Sequence, residues 1–299
     1  MTDRLQPVMQ EAYRLAYIRK PEFMGNTRTE EKDPKFKVIS DLPWCEQEIN
    51  ERLAAYRQLS DKVEQEWHAL PAQKKETYFQ LVKYPVQAAA QMNNKLLTAQ
   101  LARHGKADWA DSDRAYDSIV SLTKTYNTTK WNRMMDFQPR RLLVFNRVER
   151  KALSSGLLEK PQAVYTWNGA DCVEGASVIC EGLGYEGKAV AVEKKKELTF
   201  EFAAWETDSV EVEVRLLPNH PVEGERLRFT ISLDGSATEA VSYETKGRSE
   251  EWKENVLCNQ AVRRMILPVA RKASHRLIFT ALDEGVVLDQ ICLYMPRIK

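Results

Sequence analysis

Residues 210–216, which read Val-Glu-Val-Glu-Val-Arg-Leu, alternate apolar and charged side chains without a break. This period of two is typical of a β-strand that buries one of its faces. Before about residue 160 the apolar residues recur instead at helical spacing, and beyond it the helical period does not return. A single change of period along the chain predicts a helical domain followed by an all-β domain.

Length and composition limit the classes of function that the chain can have. A chain of 299 residues predicts two domains, and hydrophobic and charged fractions of 43% and 29% indicate a soluble globular protein. The net charge of +1 gives no overall attraction to nucleic acid or to an anionic membrane. No apolar run approaches the roughly 18 residues that span a bilayer, and the first residues carry no signal-peptide core. We therefore expect neither nucleic acid nor membrane as a partner, and the compartment stays open.

The cysteines and histidines give no metal-site pattern. The five cysteines are widely spaced without a CxxC motif, and none of the four histidines lies in HExxH. Cys172 and Cys180 would form a disulfide if two strands met there, but small buried side chains are the favoured interpretation. We expect no metal and no cofactor.

Four helical runs are predicted in the first half of the chain, at residues 3–24, 46–68, 72–104 and 108–126. The second run has nearly heptad spacing from Ile49 to Trp67, as in a helical bundle. A kink is expected in the third run, because Pro85 lacks the backbone donor that a helix needs. These features predict an antiparallel helical bundle over residues 1–150.

Beyond the bundle, Pro139 and then a polar stretch lead through a linker at residues 151–160 to the second domain. Short alternating runs separated by turn signals such as Asp234-Gly235 and Glu284-Gly285 follow over residues 161–299. Roughly eight antiparallel strands with no intervening helix are expected. The fold class is therefore α then β, with a jelly-roll-like antiparallel β-sandwich after the bundle.

Several strings of residues are too particular to follow from periodicity alone. They are Tyr17 to Glu22 (YIRKPE), Phe79 to Val86 (FQLVKYPV), Met92 to Lys95 (MNNK), Tyr126-Asn127 with Lys130-Trp131 and Met134-Met135, Gly182 to Tyr185 (GLGY), Trp252 to Asn259 (WKENVLCN) and Asp283 to Leu288 (DEGVVL). In this order they resemble the C-terminal region of glycoside hydrolase family 115, the xylan α-glucuronidases. The similarity covers essentially the whole chain, with Glu284 standing where the family commonly has proline.

The resemblance implies that the chain is part of a carbohydrate-degrading hydrolase that removes glucuronic or 4-O-methylglucuronic acid from glucuronoxylan. Such enzymes place a catalytic barrel before the bundle and the sandwich, and this chain matches only the last two parts. It implies xylan or a uronic-acid-decorated oligosaccharide as ligand, the catalytic barrel as partner and a homodimer. Family relatives are often periplasmic or extracellular. The matching segment is expected to be inactive alone, and no catalytic residue is carried over.

The residues themselves support that expectation. Hydrolysis of a glycoside needs two carboxyl groups about 5–10 Å apart across a cleft. The first candidates are Asp111, Asp113 and Asp117, which are better interpreted as favourable charge near a helix N-terminus. The second candidate pair is Asp283 with Asp289, and Asp283 is better interpreted as a turn residue. We therefore assign no catalytic site to this segment.

Aromatic residues are the remaining candidates for sugar contacts. Trp131, Trp167, Trp205 and Trp252 present faces suited to sugar rings, although burial in a core is favoured for each. The best candidate binding group is Tyr126, Asn127, Lys130 and Trp131, because these residues follow a helix in a loop. Lys130 would pair with the carboxylate of a uronic acid.

Two functions remain open from the sequence. The first is an accessory part of an α-glucuronidase, whose bundle would expose an apolar face and self-associate when separated from the barrel. The alternative is a free-standing carbohydrate-binding or structural interaction protein. Whether the chain is itself an enzyme stays uncertain.

Overall fold

The computed structural model describes residues 2–28, 31–136, 142–153, 156–172, 178–236 and 239–296. They divide into two compact units, Met1–Lys160 and Pro161–Lys299. Phe137 and Pro139, at the predicted exit from the bundle, lie outside the described residues. The described part of the expected linker makes contacts within the first unit, since the amide of Leu153 donates to the carbonyl of Arg103 at 2.8 Å. The domain bounds drawn from the sequence remain a prediction.

The described residues of the first unit include five α-helices: α1 Thr2–Ile18, α2 Glu46–Ala69, α3 Ala72–Tyr78, α4 Tyr84–Arg103 and α5 Trp109–Tyr126. Helix α1 ends before residue 24, where the sequence placed its end. The reason is Pro21, which disfavours helical backbone at the preceding residue, and Lys20 is extended (ψ 145°). None of the described helices is long and apolar enough to cross a membrane.

The distortion expected near Pro85 takes the form of one wide turn. Residues Phe79–Lys83 form a π-helical turn between α3 and α4, in which the amide of Tyr84 bonds to the carbonyl of Phe79. Pro85 lies in the first turn of α4, a position where a helix tolerates a residue without an amide proton. The helix therefore continues past the proline by widening.

Helix α4 is the centre of the first unit. It packs against both α2 and α5, and nearly all of its second half is buried. Its buried polar side chains bond to other segments: Asn93 Oδ1 accepts from Arg52 Nε at 2.7 Å, and Gln100 bonds to both the amide and the carbonyl of Leu42. Lys95 Nζ donates to the carbonyls of Val144 and Asn146 at 2.6 and 2.9 Å. These bonds fix the irregular segments around residues 42 and 145 on the helix.

In the part of the second unit that the structure describes there are ten strands: β1 Tyr165–Asn168, β2 Val178–Glu181, β3 Lys188–Ala191, β4 Glu197–Ala203, β5 Ser209–Leu216, β6 Arg228–Leu233, β7 Val241–Ser242, β8 Ala261–Pro268, β9 Ser274–Ala281 and β10 Val287–Tyr294. One sheet has the order β2-β3-β10-β5-β8, with β1 also paired to β10, and the other has the order β4-β9-β6-β7. Every pairing between them is antiparallel.

The core of the second unit lies between the two sheets, as in a β-sandwich. Val210, Val212, Val214 and Leu216 of β5 are fully buried there together with apolar residues of the other sheet, such as Phe279. The fold class predicted from the change of period is therefore confirmed: a helical unit followed by an antiparallel sandwich.

The expectation of no helix within the second unit was wrong. Residues Glu250–Cys258, most of the WKENVLCN string, form helix α6 between β7 and β8. Ser249 accepts a bond from the amide of Trp252 at its start, and Asn259 adopts the left-handed conformation (φ 50°) at its end. Both are standard helix-capping features, and they decide the conformation of a segment whose apolar pattern is weak.

A buried carboxylate holds a turn against the larger sheet. Both oxygens of Asp289 on β10 accept from the amide of Tyr185, at 3.0 and 3.1 Å, and Gln260 Nε2 donates to Oδ2. Burial raises the pKa of Asp289 above its usual range. Gly184 has φ +90°, and a Cβ there would lie 2.5 Å from Asp289 Oδ1. The turn therefore needs glycine for its backbone conformation and for space.

Two glycine substitutions separate these requirements. Gly184→Ala should destabilise the second unit by at least about 2 kcal/mol, because it adds a clash with Asp289 to the cost of a positive φ. Gly187→Ala is the matched control, since Gly187 has φ +76° but nothing within 4 Å of its Cβ. Its cost should be only about 1 kcal/mol. Urea unfolding would measure both, and equal losses would contradict the proposed clash.

Lys95 yields a second test. Burial lowers the pKa of Lys95 from 10.5 to about 7. Between these values the unfolded chain binds a proton that the folded chain has released, so stability rises with pH. Relative to Lys95→Met, the free energy of unfolding of the unchanged protein should rise by about 1 kcal/mol per pH unit between pH 7.5 and 9. Urea unfolding followed on α4 amide signals would measure this difference, and a difference independent of pH would contradict it.

Candidate functional site

Three of the four candidate binding residues lie in the segment that leaves α5, which we call the α5 loop (residues 127–135), and Tyr126 is the last residue of the helix. Asn127 closes this loop: its Nδ2 donates to the carbonyl of Met135 at 2.8 Å, and its Oδ1 accepts from the amide of Met135 at 3.3 Å. Arg133 adopts a positive φ of 64° within it. The role of Asn127 is therefore to hold the two ends of the loop together.

The loop is also fixed to neighbouring helices. The hydroxyls of Thr128 and Thr129 donate to the carbonyls of Thr125 and Tyr126, each at 2.7 Å, and so satisfy acceptors left at the end of α5. The amide of Lys130 donates to Glu76 Oε1 on α3 at 3.1 Å. These bonds orient the backbone that carries Lys130 and Trp131.

Tyr126 lies beneath the loop in the core of the bundle. It is only 2% exposed, and its ring centroid lies 4.6 Å from that of Tyr84 and 6.2 Å from that of Phe79. The side chain has no surface for a ligand, so Tyr126 supports the loop from below. The sequence had already placed it on the apolar side of its helix, with Ala115, Ile119 and Leu122.

Lys130 and Trp131 form the exposed part of the candidate site. Lys130 is exposed, and its Nζ lies 5.2 Å from the centroid of the Trp131 ring. Among the described residues no carboxylate pairs with the Lys130 ammonium. Trp131 is half-buried, and its Nε1 has no hydrogen-bond partner within that same part of the chain. Trp131 Nε1 is itself buried, so the pair offers a cation and an aromatic surface, which suits a ligand with an anionic group and an apolar face.

The carboxylates considered for catalysis are committed to other partners. Asp113 accepts from Arg147 and Arg150, which hold its pKa below the usual range, and Asp117 accepts from Arg147. Asp283 is paired with Arg228. Asp111 is paired with Arg114 on the same helix turn. With Asp289 held beneath the turn at residue 185, none of the five has a free carboxylate facing another across a cleft.

The tryptophans of the second unit mostly serve its core. Trp205 is buried and donates from Nε1 to the carbonyl of Ser209 at 2.9 Å, while Trp167 packs on the same core and stacks on Tyr165. Trp252 is partly buried on α6. The preference for core positions given by the sequence is therefore confirmed for Trp167 and Trp205.

The described residues contain no group of three or more His, Cys, Asp or Glu side chains placed to hold a metal ion. All five cysteines are free thiols, including Cys172 and Cys180. Cys292 is buried within its strand, whereas Cys258 is exposed on α6. Cys172 and Cys180, for which small buried side chains were the favoured interpretation, are only partly buried, so that interpretation is wrong for both.

Sequence reasoning missed Glu76, which fixes the loop from 54 positions away. No spacing in the sequence indicated this contact, because it depends on how α3 and α5 pack. The function of Asn127 had a signal in principle, since asparagine often ends a helix and bonds to nearby backbone.

Comparison with known proteins identifies relatives of both units. Residues 176–299 match the family described as glycosyl hydrolase family 115 C-terminal domain. A solved structure described as a family GH115 4-O-methyl-α-glucuronidase, BtGH115A, with specificity for decorated arabinogalactans, is 61% identical over 99% of this chain, with a TM-score of 0.95. The chain covers 39% of the length of that relative.

Other similarities are too distant to support an argument. An exo-β-1,3-galactanase from Phanerochaete chrysosporium is 16% identical over 44% of this chain and 29% of its own, with a TM-score of 0.34. A family 35 carbohydrate-binding module from Clostridium thermocellum is 10% identical over 44% of this chain and 98% of its own, with a TM-score of 0.35. Curated protein sequences give no match.

Proposed function

Because the chain corresponds to the C-terminal region of glycoside hydrolase family 115, we propose that it serves an enzyme that removes glucuronic or 4-O-methylglucuronic acid from plant polysaccharides. The supporting observation is the 61% identity to a 4-O-methyl-α-glucuronidase across 99% of the chain. Both units share that similarity, so the proposal concerns the pair and not the sandwich alone.

The solved relative changes which polysaccharide backbone should be considered for the substrate. The sequence resemblance implied glucuronoxylan, whereas the solved relative is described as specific for decorated arabinogalactans. The two polysaccharides share an acidic sugar attached to a neutral chain. We therefore define the substrate by its uronic acid branch and include both backbones in the test.

Within such an enzyme we propose that these residues position the substrate and the catalytic domain and do not perform the hydrolysis. The Asp residues considered above are occupied by arginines or by backbone amides. Arginine partners lower the pKa values of Asp113 and Asp283, so these groups would be poor proton donors to a leaving group. The partners in this proposal are the catalytic barrel and a second copy of the chain.

The proposed contact with the uronic acid lies at the α5 loop. Lys130 would pair with the carboxylate, and the exposed part of the Trp131 ring would contact the sugar. The bonds from Asn127 and Glu76 hold both residues in place before a ligand arrives, which lowers the entropic cost of binding.

Activity measurements test the non-catalytic role. The chain of 299 residues, incubated with glucuronoxylan and with glucuronic-acid-decorated arabinogalactan, should release no uronic acid above a buffer control. Chromatography of the soluble products would detect release. Uronic acid released by this chain would show that it contains a catalytic pair, and would contradict the proposal that these residues do not perform the hydrolysis.

Binding measurements test the α5 loop separately. Calorimetric titration should show binding of glucuronic-acid-decorated xylo-oligosaccharide in preference to the undecorated oligosaccharide. Lys130→Ala should weaken that binding about fivefold to tenfold, because a charge-assisted bond is lost, and Lys130→Arg should retain most of it.

Lys124→Ala is the matched control, since Lys124 is an exposed lysine in the last turn of α5 and outside the loop. It should leave the affinity unchanged. Equal affinity for decorated and undecorated sugars, or equal losses at Lys124 and Lys130, would contradict a uronate site at the loop.

A further inference from the structure

A polar groove of about 340 Å³ runs along the surface of the helical unit, and neither Lys130 nor Trp131 lines it. One residue of α2, two of α4 and four of α5 line it: Ser60, Gln87, Gln91, Ser118, Ser121, Leu122 and Thr125. The four from α5 are spaced as one face of a helix. Because α4 packs against both α2 and α5, the groove follows the line where the three helices meet.

The lining of this groove is polar but uncharged. Six of its seven side chains are hydroxyls or amides, Leu122 is apolar, and no described ionisable residue lines it. A surface without charge gives no preference for an anion or a cation. A single leucine is also too little apolar surface to hold a hydrophobic ligand.

Internal bonds leave part of the lining as hydrogen-bond acceptors. Ser118 donates its hydroxyl proton to the carbonyl of Arg114 at 2.8 Å, and Thr125 donates its own to the carbonyl of Ser121 at 3.0 Å. Each hydroxyl has one proton, so only its acceptor capacity remains for a ligand. Gln87 directs one proton of Nε2 to Glu64 Oε2 at 2.9 Å, which leaves the second Nε2 proton as a donor and Oε1 as an acceptor.

The remaining polar groups can both donate and accept. Within the described residues, the side chains of Ser60, Gln91 and Ser121 form no hydrogen bond to other protein groups. Together with the free donor and acceptor of Gln87 and the acceptors of Ser118 and Thr125, they present both donors and acceptors along the groove. A matching ligand must therefore carry both kinds of group.

We propose that this groove binds a segment of neutral oligosaccharide through the sugar hydroxyl groups. A hydroxyl group both donates and accepts, and a neutral sugar presents several of them along one face. Carboxylates and phosphates only accept hydrogen bonds, so they would leave the acceptors of Ser118 and Thr125 unmatched. This inference rests on the groove alone and does not depend on the uronate site proposed at the α5 loop.

Titration of the whole chain with xylohexaose and with a neutral galacto-oligosaccharide, followed by amide chemical shifts, tests the groove. At least one should give saturable shifts at residues 60, 87, 91 and 118–125. Gln91→Leu should weaken that binding about fivefold, since one hydrogen bond is lost. Ser121→Ala, a smaller change on a different helix, should also weaken it.

Gln65→Leu is the matched control, because Gln65 is an exposed glutamine of α2 that does not line the groove. It should leave the affinity unchanged, and glucuronate alone should shift none of the groove amides. The proposal is overturned if neither neutral oligosaccharide shifts these amides up to about 10 mM. It is also overturned if Gln91→Leu and Ser121→Ala bind as the unchanged chain does, or if glucuronate shifts the same amides.

Discussion

The first unit depends on the pairing of polar side chains that α4 carries into its interior. A buried polar group without a partner costs several kcal/mol, so each one dictates what must pack beside it. Asn93 requires Arg52, Lys95 requires two carbonyls near residue 145, and Gln100 requires the backbone of Leu42. The segments that these groups hold have little regular structure of their own. The helix core thus determines the conformation of the loops through hydrogen bonds as much as through apolar packing.

The second unit satisfies its polar groups in a different way. Alternation along β5 sends valines inward and leaves Glu213 and Arg215 on the other face, where they bond to each other and to Gln290 and Arg264. The strand ladders pair the backbone groups of the strands themselves. Side chains bond to the backbone of the loops: Asn219 Nδ2 donates to the carbonyl of Gly285 at 2.6 Å, and Asp289 accepts from the amide of Tyr185, where a glycine is required beside it.

The sequence predicted the parts of the fold that depend on periodicity. The strand at residues 210–216 and the helix after Asp108 follow directly from apolar spacing and a capping residue. Helix α6 was missed because capping residues define its ends while its apolar pattern is weak. At the candidate site, Lys130 and Trp131 could be proposed as loop residues, but the burial of Tyr126 and the contact from Glu76 arise from tertiary packing. Such tertiary contacts cannot be predicted from local sequence unless the residues that make them recur at a regular spacing.

The C-terminal turn of α5 brings two kinds of surface close together along the chain. Thr125 lines the uncharged groove, and Asn127, two positions later, begins the loop that carries Lys130 and Trp131. The hydroxyl of Thr125 is turned back to its own helix, which removes a donor from the groove, while the ammonium of Lys130 extends into solvent. A polysaccharide with acidic branches has the same two features, because a neutral backbone carries hydroxyl groups and a branch carries a carboxylate. If both proposed sites bind sugar, the end of α5 would distinguish the neutral backbone by its hydrogen-bonding groups at one surface and the acidic branch by its charge at the other.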